Sequence, residues 1–450
     1  MEINELKKII KDCGVAGAGG AGFPTYMKLD RRVDTIILNC AECEPLLKVH
    51  RQLLQNYAFE IVKTLKTIAE ALDAKEVIIA VKDSYKEAVS ETENAIQSLG
   101  LEALMRLGIL PEVYPAGDEV VTIYETTKKV VPPGSIPLEI GIAVFNVETI
   151  FNVSKAIKGG RGVYEKYLTI AGEVKSPTTR CVPIGMSVAD AVTLAGGATV
   201  EEPVFINGGP MTGRIVGGND VITKTTNAIL VLPKNHTVVN KKTSNISIDM
   251  KRAMAACCQC QMCTDLCPRN MLGHPIEPHA FMRSATSGAT KDMAPFTGTF
   301  FCSQCGLCEM YACDQGLAPK TLIDAYKSGI RKQGIVPPKN VILREVNQIR
   351  EYRKVPMRRL TARLGLADYN LPALLCEDSF IPKMVKIPMS QHIGAPSVPN
   401  VKENDMVQAG QVVGLAKKDS LSIPSHASID GIVVEVNERY VIIKSTGTTM

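Results

Sequence analysis

Two runs of cysteine between Cys257 and Cys313 restrict what this chain can fold into more than any other feature. The first is Cys257, Cys260, Cys263 and Cys267 followed by Pro268, a C-x2-C-x2-C-x3-C-P pattern. The second is Cys302, Cys305, Cys308 and Cys313, which is C-x2-C-x2-C-x4-C. Three thiolates two residues apart let one tight loop wrap a cubane, and the first run has the ferredoxin-type 4Fe-4S spacing. In two-cluster proteins of that type the fourth cysteine of each run ligates the other cluster. The spacing therefore predicts one cluster on Cys257, Cys260, Cys263 and Cys313, and another on Cys302, Cys305, Cys308 and Cys267. Disulfides do not suit cysteines this close in a chain without a secretory signal. Zinc usually takes paired C-x2-C units separated by a longer loop, and buried structural thiols would not recur at this period. Cys258, beside a ligand, is a spare. The second run is the weaker match, because its last gap is one residue longer and Asp314 replaces the proline. If one cluster is labile or absent, the spacing predicts the one held by Cys302, Cys305 and Cys308.

A chain of 450 residues should hold three or four domains, taking about 100–200 residues for each. Its 45% hydrophobic and 22% charged content is that of a globular protein. A net charge of +5 over this length gives no argument for nucleic acid. The N-terminus lacks the apolar core of a signal peptide, and no apolar run is long enough to cross a bilayer. These features predict a cytoplasmic, oxygen-sensitive protein with no membrane span of its own.

Upstream of the cysteines, residues 1–12 read as an amphipathic helix, and Gly17-Ala18-Gly19-Gly20-Ala21-Gly22-Phe23-Pro24-Thr25 follows. So many glycines let backbone amides approach a ligand closely, although a flexible loop is the plainer reading. Thr35–Asn39, Val77–Val81 and Ile142–Phe145 read as buried strands, with helices over 50–72 and Tyr85–Leu99 and a short strand at Val113. Alternating strands and helices predict a parallel sheet covered on both faces. Acidic residues past the strand end at Asn39, beside a glycine-rich loop, suit a nucleotide site. Asn146 is placed to cap a helix whose N-terminus would favour a phosphate.

Gly17–Lys28 resembles the GxGGAGFPTxxK loop of the FMN-binding subunit of respiratory complex I. Asn39–Pro45, Gly117-Asp118-Glu119 and Asn146–Thr149 resemble that family's N-A-D-E-S-E-P, G-E-E and N-N-V-E-T segments, in the same order. The resemblance implies FMN held by Gly17, Gly19, Gly20, Lys28, Asn39 and Asn146, with NADH stacked near Phe23. Glu44, Asp118 and Glu119 would line the nicotinamide–ribose side. Ala18 and Cys43 stand where complex I has Arg and Ser, which bears on phosphate binding and on NADH use.

Beyond a linker at Gly159–Gly162, strands at Tyr167–Val174 and Pro203–Asn207 with a helix at Val188–Leu194 suit a β-grasp module. It resembles the soluble-ligand-binding β-grasp domain, read here as a ligand site or as a spacer. The turn-rich loop Gly208–Gly213 is expected to face the flavin or a cluster. Helices at Asp249–Ala256 and Thr321–Lys332 make the cluster domain helical with loop-borne ligands. His274 and His279 lie between the runs, but eight cysteines already complete two clusters. The basic stretch Asn340–Leu366 (Arg344, Arg350, Arg353, Lys354, Arg358, Arg359, Arg363) reads as a solvated helical face. A docking surface for an acidic redox protein is the alternative. Ile381–Ser445 resembles a barrel-sandwich hybrid of the biotinyl/lipoyl type, but Pro424–Ser428, at the hairpin tip, has no Lys to carry a cofactor.

The fold class expected is a multidomain α/β protein. Residues 1–160 would form a Rossmann-like flavin domain with a parallel sheet, and 161–245 a β-grasp domain. Residues 246–370 would form a helical ferredoxin-like domain with two 4Fe-4S clusters, and 371–450 a barrel-sandwich hybrid. This domain order is similar to the cobalamin reductases of propanediol utilisation and to the RnfC component of the Rnf complex. The resemblance implies electrons passing from NADH through FMN and two 4Fe-4S clusters to a corrinoid, with an adenosyltransferase as partner. Ferredoxin or a proline-reductase-type enzyme as acceptor, or an NADH-blind relay, remain alternatives. So do a homo-oligomer and a location inside a bacterial microcompartment.

Overall fold

A computed structural model describes residues 1–288, 290–339, 341–378 and 380–447. Asn340, Ser379 and the last three residues, which fall within the predicted basic stretch and C-terminal domain, lie outside the described residues.

The first sheet is wholly parallel, in the order β3-β2-β1-β5, from β1 (Thr35–Asn39), β2 (Glu76–Lys82), β3 (Met105–Leu110) and β5 (Ile142–Asn146). Its central strand β1 is buried throughout, as expected where helices cover both faces. Those helices are α1 (Ile3–Asp12), α2 (Val49–Asn56), α3 (Ala58–Leu72), α4 (Lys86–Ser98), α5 (Glu119–Thr127) and α6 (Val147–Gly159). The helix expected over 50–72 is two helices. Tyr57 leaves helical dihedrals (φ −130°, ψ 29°) and stacks on Phe151, ring centroids 4.3 Å apart. Tertiary stacking outweighs the continuous apolar periodicity at that point.

The chain runs outward from β1 through β2 to β3, then returns to the opposite side of β1 to make β5. The carboxyl ends of β1 and β5 are therefore the switch point, where open α/β sheets bind ligands. Asn39 and Asn146 face each other there in register.

The second sheet has the order β12-β7-β6-β10-β8-β9. Its strands are β6 (Glu165–Gly172), β7 (Thr178–Pro183), β8 (Pro203–Asn207), β9 (Arg214–Val216), β10 (Ala228–Pro233) and β12 (Leu375–Cys376), with α7 (Val188–Thr193) packed on it. The edge strand β12 comes from the segment expected to open the C-terminal domain. Likewise β11 (Val355–Pro356), from the end of the cluster segment, pairs with β4 (Val113–Tyr114) of the flavin domain. The domains are interlocked.

Short helices carry the cysteine loops between residues 246 and 332. The C-terminal piece packs a four-stranded sheet against a three-stranded one, in the orders β13-β19-β18-β15 and β14-β16-β17. These strands are β13 (Met384–Pro388), β14 (Val398–Pro399), β15 (Met406–Val407), β16 (Val412–Leu415), β17 (Ser425–His426), β18 (Gly431–Val436) and β19 (Tyr440–Ser445). Alternation along β18 and β19 places Val433, Val441 and Ile443 in its core. No closed barrel forms among the described residues.

Candidate flavin and cluster sites

The glycine loop is tied at its neck by the Gly17 N–H to the Phe23 carbonyl (2.9 Å) and by an Ala16–Pro24 bridge. It is tied at its crown by the Ala18 N–H to Thr149 Oγ1 (2.9 Å), in the first turn of α6. The loop thus lies over the switch point. Gly19 is closely approached: an added Cβ would sit 3.3 Å from the amide nitrogens of both Asn146 and Asn227.

Asn39 donates from Nδ2 to the Gly117 carbonyl (3.0 Å) and accepts from the Ala41 N–H (3.0 Å), pinning the Gly117 turn to the end of β1. Asn146 occupies the N-cap position of α6, but its side chain makes no capping bond and turns instead toward Gly19. Lys28 donates to the Val144 carbonyl (2.7 Å) and to Glu119 Oε1 (3.3 Å). Phe23, Lys28 and Glu119 line one cavity of about 230 Å³, whose walls include Met27, Ile136 and Val144. Phe23 keeps 36% of its surface exposed, which suits a ring that stacks. Gly17, Gly19, Gly20, Asn39 and Asn146 therefore stand at the switch point, with Phe23, Lys28 and Glu119 beside them.

The carboxylates of Glu44 and Asp118 are occupied elsewhere. Glu44 accepts from the Met211 N–H (2.9 Å), the Thr212 N–H (2.8 Å) and the Thr212 hydroxyl (2.5 Å), so the Gly208–Gly213 loop folds around it. That loop also lies against the second cysteine run, with the Met211 carbonyl 3.4 Å from where a Cβ on Gly306 would be. Asp118 caps α5 through the Val120 and Val121 N–H groups (3.1 and 3.2 Å). Its other oxygen pairs with Arg269 (2.9 Å), two residues past Cys267.

Among the described residues no group of three metal-binding side chains closes on a single-ion site. Cys257, Cys260, Cys263 and Cys313 line one cavity of about 170 Å³. Cys267 packs with Ile276 and Phe301, against Cys302, and is within electrostatic reach of both Cys302 and Cys305. These placements fit the crossed pairing. The longer gap in the second run is taken up by a π-helical turn, Cys308–Ala312, where the first run has an ordinary turn at Met262–Asp265. An inserted residue absorbed this way leaves the flanking chain in place. Asp314 pairs with Arg363 (3.0 Å).

His274 is bonded to the Val131 carbonyl (2.9 Å) and His279 to Thr264 Oγ1 (2.8 Å); only His279 lines the first cavity. The basic stretch is a solvated helical face only over Met357–Arg363, where Arg358, Arg359 and Arg363 are exposed. Arg344, Arg353, Lys354 and Arg363 pair with Glu277, Asp265, Glu125 and Asp314. Arg350 is buried on Glu125 at 2.6 Å, with its guanidinium over the Tyr124 ring. The segment is a strap binding the cluster loops to α5 of the flavin domain. Sequence reading missed Asn227, Arg269 and the buried Glu148–Lys166 pair that joins α6 to β6. Each acts through a residue distant in the chain, so no local pattern marks it.

The Nuo51 FMN-binding domain model matches residues 10–155, and the SLBB domain model 167–215. The 4Fe-4S dicluster domain model matches 256–318, and the RnfC barrel sandwich hybrid domain model 374–450. The cobalamin reductase PduS of Citrobacter freundii is 38% identical over 97% of this chain and 96% of its own length. The cobalamin reductase PduS of Salmonella typhimurium strain LT2 is also 38% identical, over 98% of this chain and 97% of its own length. A component of the Na(+)-translocating ferredoxin:NAD(+) oxidoreductase complex of Acetobacterium woodii is 30% identical over 60% of this chain and 58% of its own length. The chain thus carries an FMN-binding domain and a 4Fe-4S dicluster domain, the cofactors of a flavin and iron–sulfur oxidoreductase. No helix among the described residues is long and apolar enough to cross a membrane.

Proposed function

The chain belongs to the PduS family of cobalamin reductases, and from that membership we propose that it conducts electrons from NADH, through an inner and then an outer cluster, to a corrinoid. FMN supplies the conversion of a two-electron hydride donor into single-electron transfers, and the protein binds, orients and shields it. Gly17, Gly19, Gly20, Lys28, Asn39 and Asn146 hold the flavin at the switch point. Phe23 and Glu119 receive the nicotinamide end of NADH in the adjoining cavity. Cys302, Cys305, Cys308 and Cys267 hold the inner cluster; Cys257, Cys260, Cys263 and Cys313 hold the outer one.

The observation that carries this order is the way the second run is fastened to the flavin domain. The Tyr114 hydroxyl donates to the Cys305 carbonyl (2.5 Å), and Asp118 pairs with Arg269 beside Cys267. Cys258 and Cys260, in the first run, are exposed. Electrons entering at the flavin thus meet the half-buried second run first and leave by the more exposed one. The corrinoid so reduced would serve an adenosyltransferase, in the cytoplasm or within a microcompartment.

Anaerobic mixing of the iron-replete protein with NADH should bleach the flavin spectrum, and added cob(III)alamin should restore it as the corrinoid is reduced. Bleaching followed by turnover with ferredoxin but not with corrinoid would replace the acceptor. No bleaching with NADH would remove the donor.

A further inference from the structure

The loop Thr223–Asn227, which leads into β10, lies over the glycine loop. A Cβ on Gly22 would meet Thr225 Cγ2 at 2.8 Å. Its other polar side chains, and the Lys224 backbone, are engaged by the fold. The Thr226 hydroxyl accepts from the Thr223 N–H (3.1 Å) and from Asn207 Nδ2 (3.2 Å), and the Thr223 and Thr225 hydroxyls bond each other (3.2 Å). Lys224 donates its backbone N–H to Gln391 Oε1 (3.2 Å) and its ammonium to the carbonyls of Gly14 (2.7 Å) and Pro424 (3.1 Å).

Asn227 is held in place through its backbone carbonyl, which accepts from the Thr169 N–H at 3.0 Å. Its side-chain amide is spare. Oδ1 is buried with no hydrogen-bond partner among the described residues, and Nδ2 lies beside Gly19 at the same 3.3 Å from the added Cβ as Asn146 Nδ2. Two amides, from two domains, converge on one glycine, and neither caps nor braces the fold. Leaving a buried amide oxygen unpaired is costly, so its persistence points to a group that completes it.

We propose that Asn227 is a flavin ligand contributed by the β-grasp sheet, closing the glycine cradle opposite Asn146. FMN presents what both ends of the amide require: phosphate and ring carbonyl oxygens for Nδ2, ribityl hydroxyls and a ring N–H for Oδ1. The β-grasp domain then forms one wall of the flavin site and is not a separate ligand-binding module. This rests on the reading of the glycine loop as the FMN site.

The test is a fluorescence titration of FMN into apoprotein that retains its clusters, under anaerobic conditions. Asn227→Ala removes the amide and should weaken FMN binding about tenfold, the value of one good hydrogen bond. Asn227→Asp keeps the shape but sets a negative charge against the phosphate or ring oxygens, and should weaken it further. Iron content and thermal midpoint should match the parent in both. Unchanged FMN affinity in both variants overturns the proposal, as does FMN loss that only accompanies loss of iron. A parent protein that takes up no FMN would instead overturn the reading of the glycine loop.

Discussion

The two cysteine runs share a C-x2-C-x2-C core and differ in where the fold puts them. The second is drawn inward: Cys305 and Leu307 pack against Tyr114, Leu46 and Met211, side chains from the flavin and β-grasp domains. The first faces out, following the helix Ile246–Ala256 and exposing Cys258 and Cys260. Spacing alone ranks the second run as the weaker site. Burial gives the opposite ranking, because the π-helical turn absorbs the extra residue and solvent reaches the first run more easily. Position in the fold, more than motif fidelity, distinguishes the two runs.

The largest expected effect comes from Cys305→Ala. With the inner cluster gone, NADH should still bleach the flavin, but the outer cluster should stay oxidised in the EPR spectrum and corrinoid reduction should fall to background. An outer cluster that is still reduced would break the order proposed. The reciprocal variant, Cys260→Ala, should abolish corrinoid reduction yet leave FMN binding intact and the inner cluster reducible by NADH. Loss of FMN as well would show that the interlocking of the domains couples the two sites.

A smaller effect is expected from Asp118→Asn, which breaks the clasp to Arg269 where both side chains are largely buried (12% and 17% exposed). Breaking a buried pair costs about 3–5 kcal/mol, and partial exposure here reduces that to about 2. Thermal unfolding should show the loss, and stopped-flow should show slower inner-cluster reduction with flavin bleaching unchanged. On exposure to air, the outer cluster's EPR signal should disappear first; prior loss of the inner signal would restore the ranking by spacing.

The smallest effect concerns pH. His274, on the inner side, is held down to about 4 by burial and by the Arg269 charge. Its folded pKa lies below its unfolded value of about 6.5, so the unfolded chain binds the extra proton between those values. Stability from this group is present above about pH 6.5 and is lost on acidification toward 4, at no more than about 1.4 kcal/mol per pH unit. His274→Gln should flatten that part of the stability profile, measured by denaturant unfolding.

What the sequence disclosed was what it encodes locally. The parallel sheet, the glycine loop and the eight cysteines each show as a short pattern. Asn39 and Asn146 could be named before their register was known, because each lies in a short segment that resembles one of the flavin family's motifs. Glu44 and Asp118 had equally good local credentials, yet their carboxylates are taken by Thr212 and Arg269, far away in the chain. Asn227 sits in a threonine-rich turn with no motif, and only the placement of two domains against each other brings its amide over Gly19. The basic stretch was half legible for the same reason: the exposed helical face of Arg358 and Arg359 shows in the sequence, while the partners of Arg350, Arg353 and Lys354 do not.

The return of β11 and β12 to earlier sheets bears on how the protein is made. Residues 1–160 leave the ribosome first, but β4 has no strand partner until Val355 and Pro356 arrive, and Glu125 waits 225 residues for Arg350. The β-grasp sheet likewise gains its edge strand only with Leu375 and Cys376. Contacts of such long sequence separation form slowly, so β4 and the Glu125 carboxylate wait for these partners throughout synthesis of the cysteine loops. The pairing of β4 and the burial of Glu125 are therefore late events of folding, completed around a chain that already carries both cysteine runs.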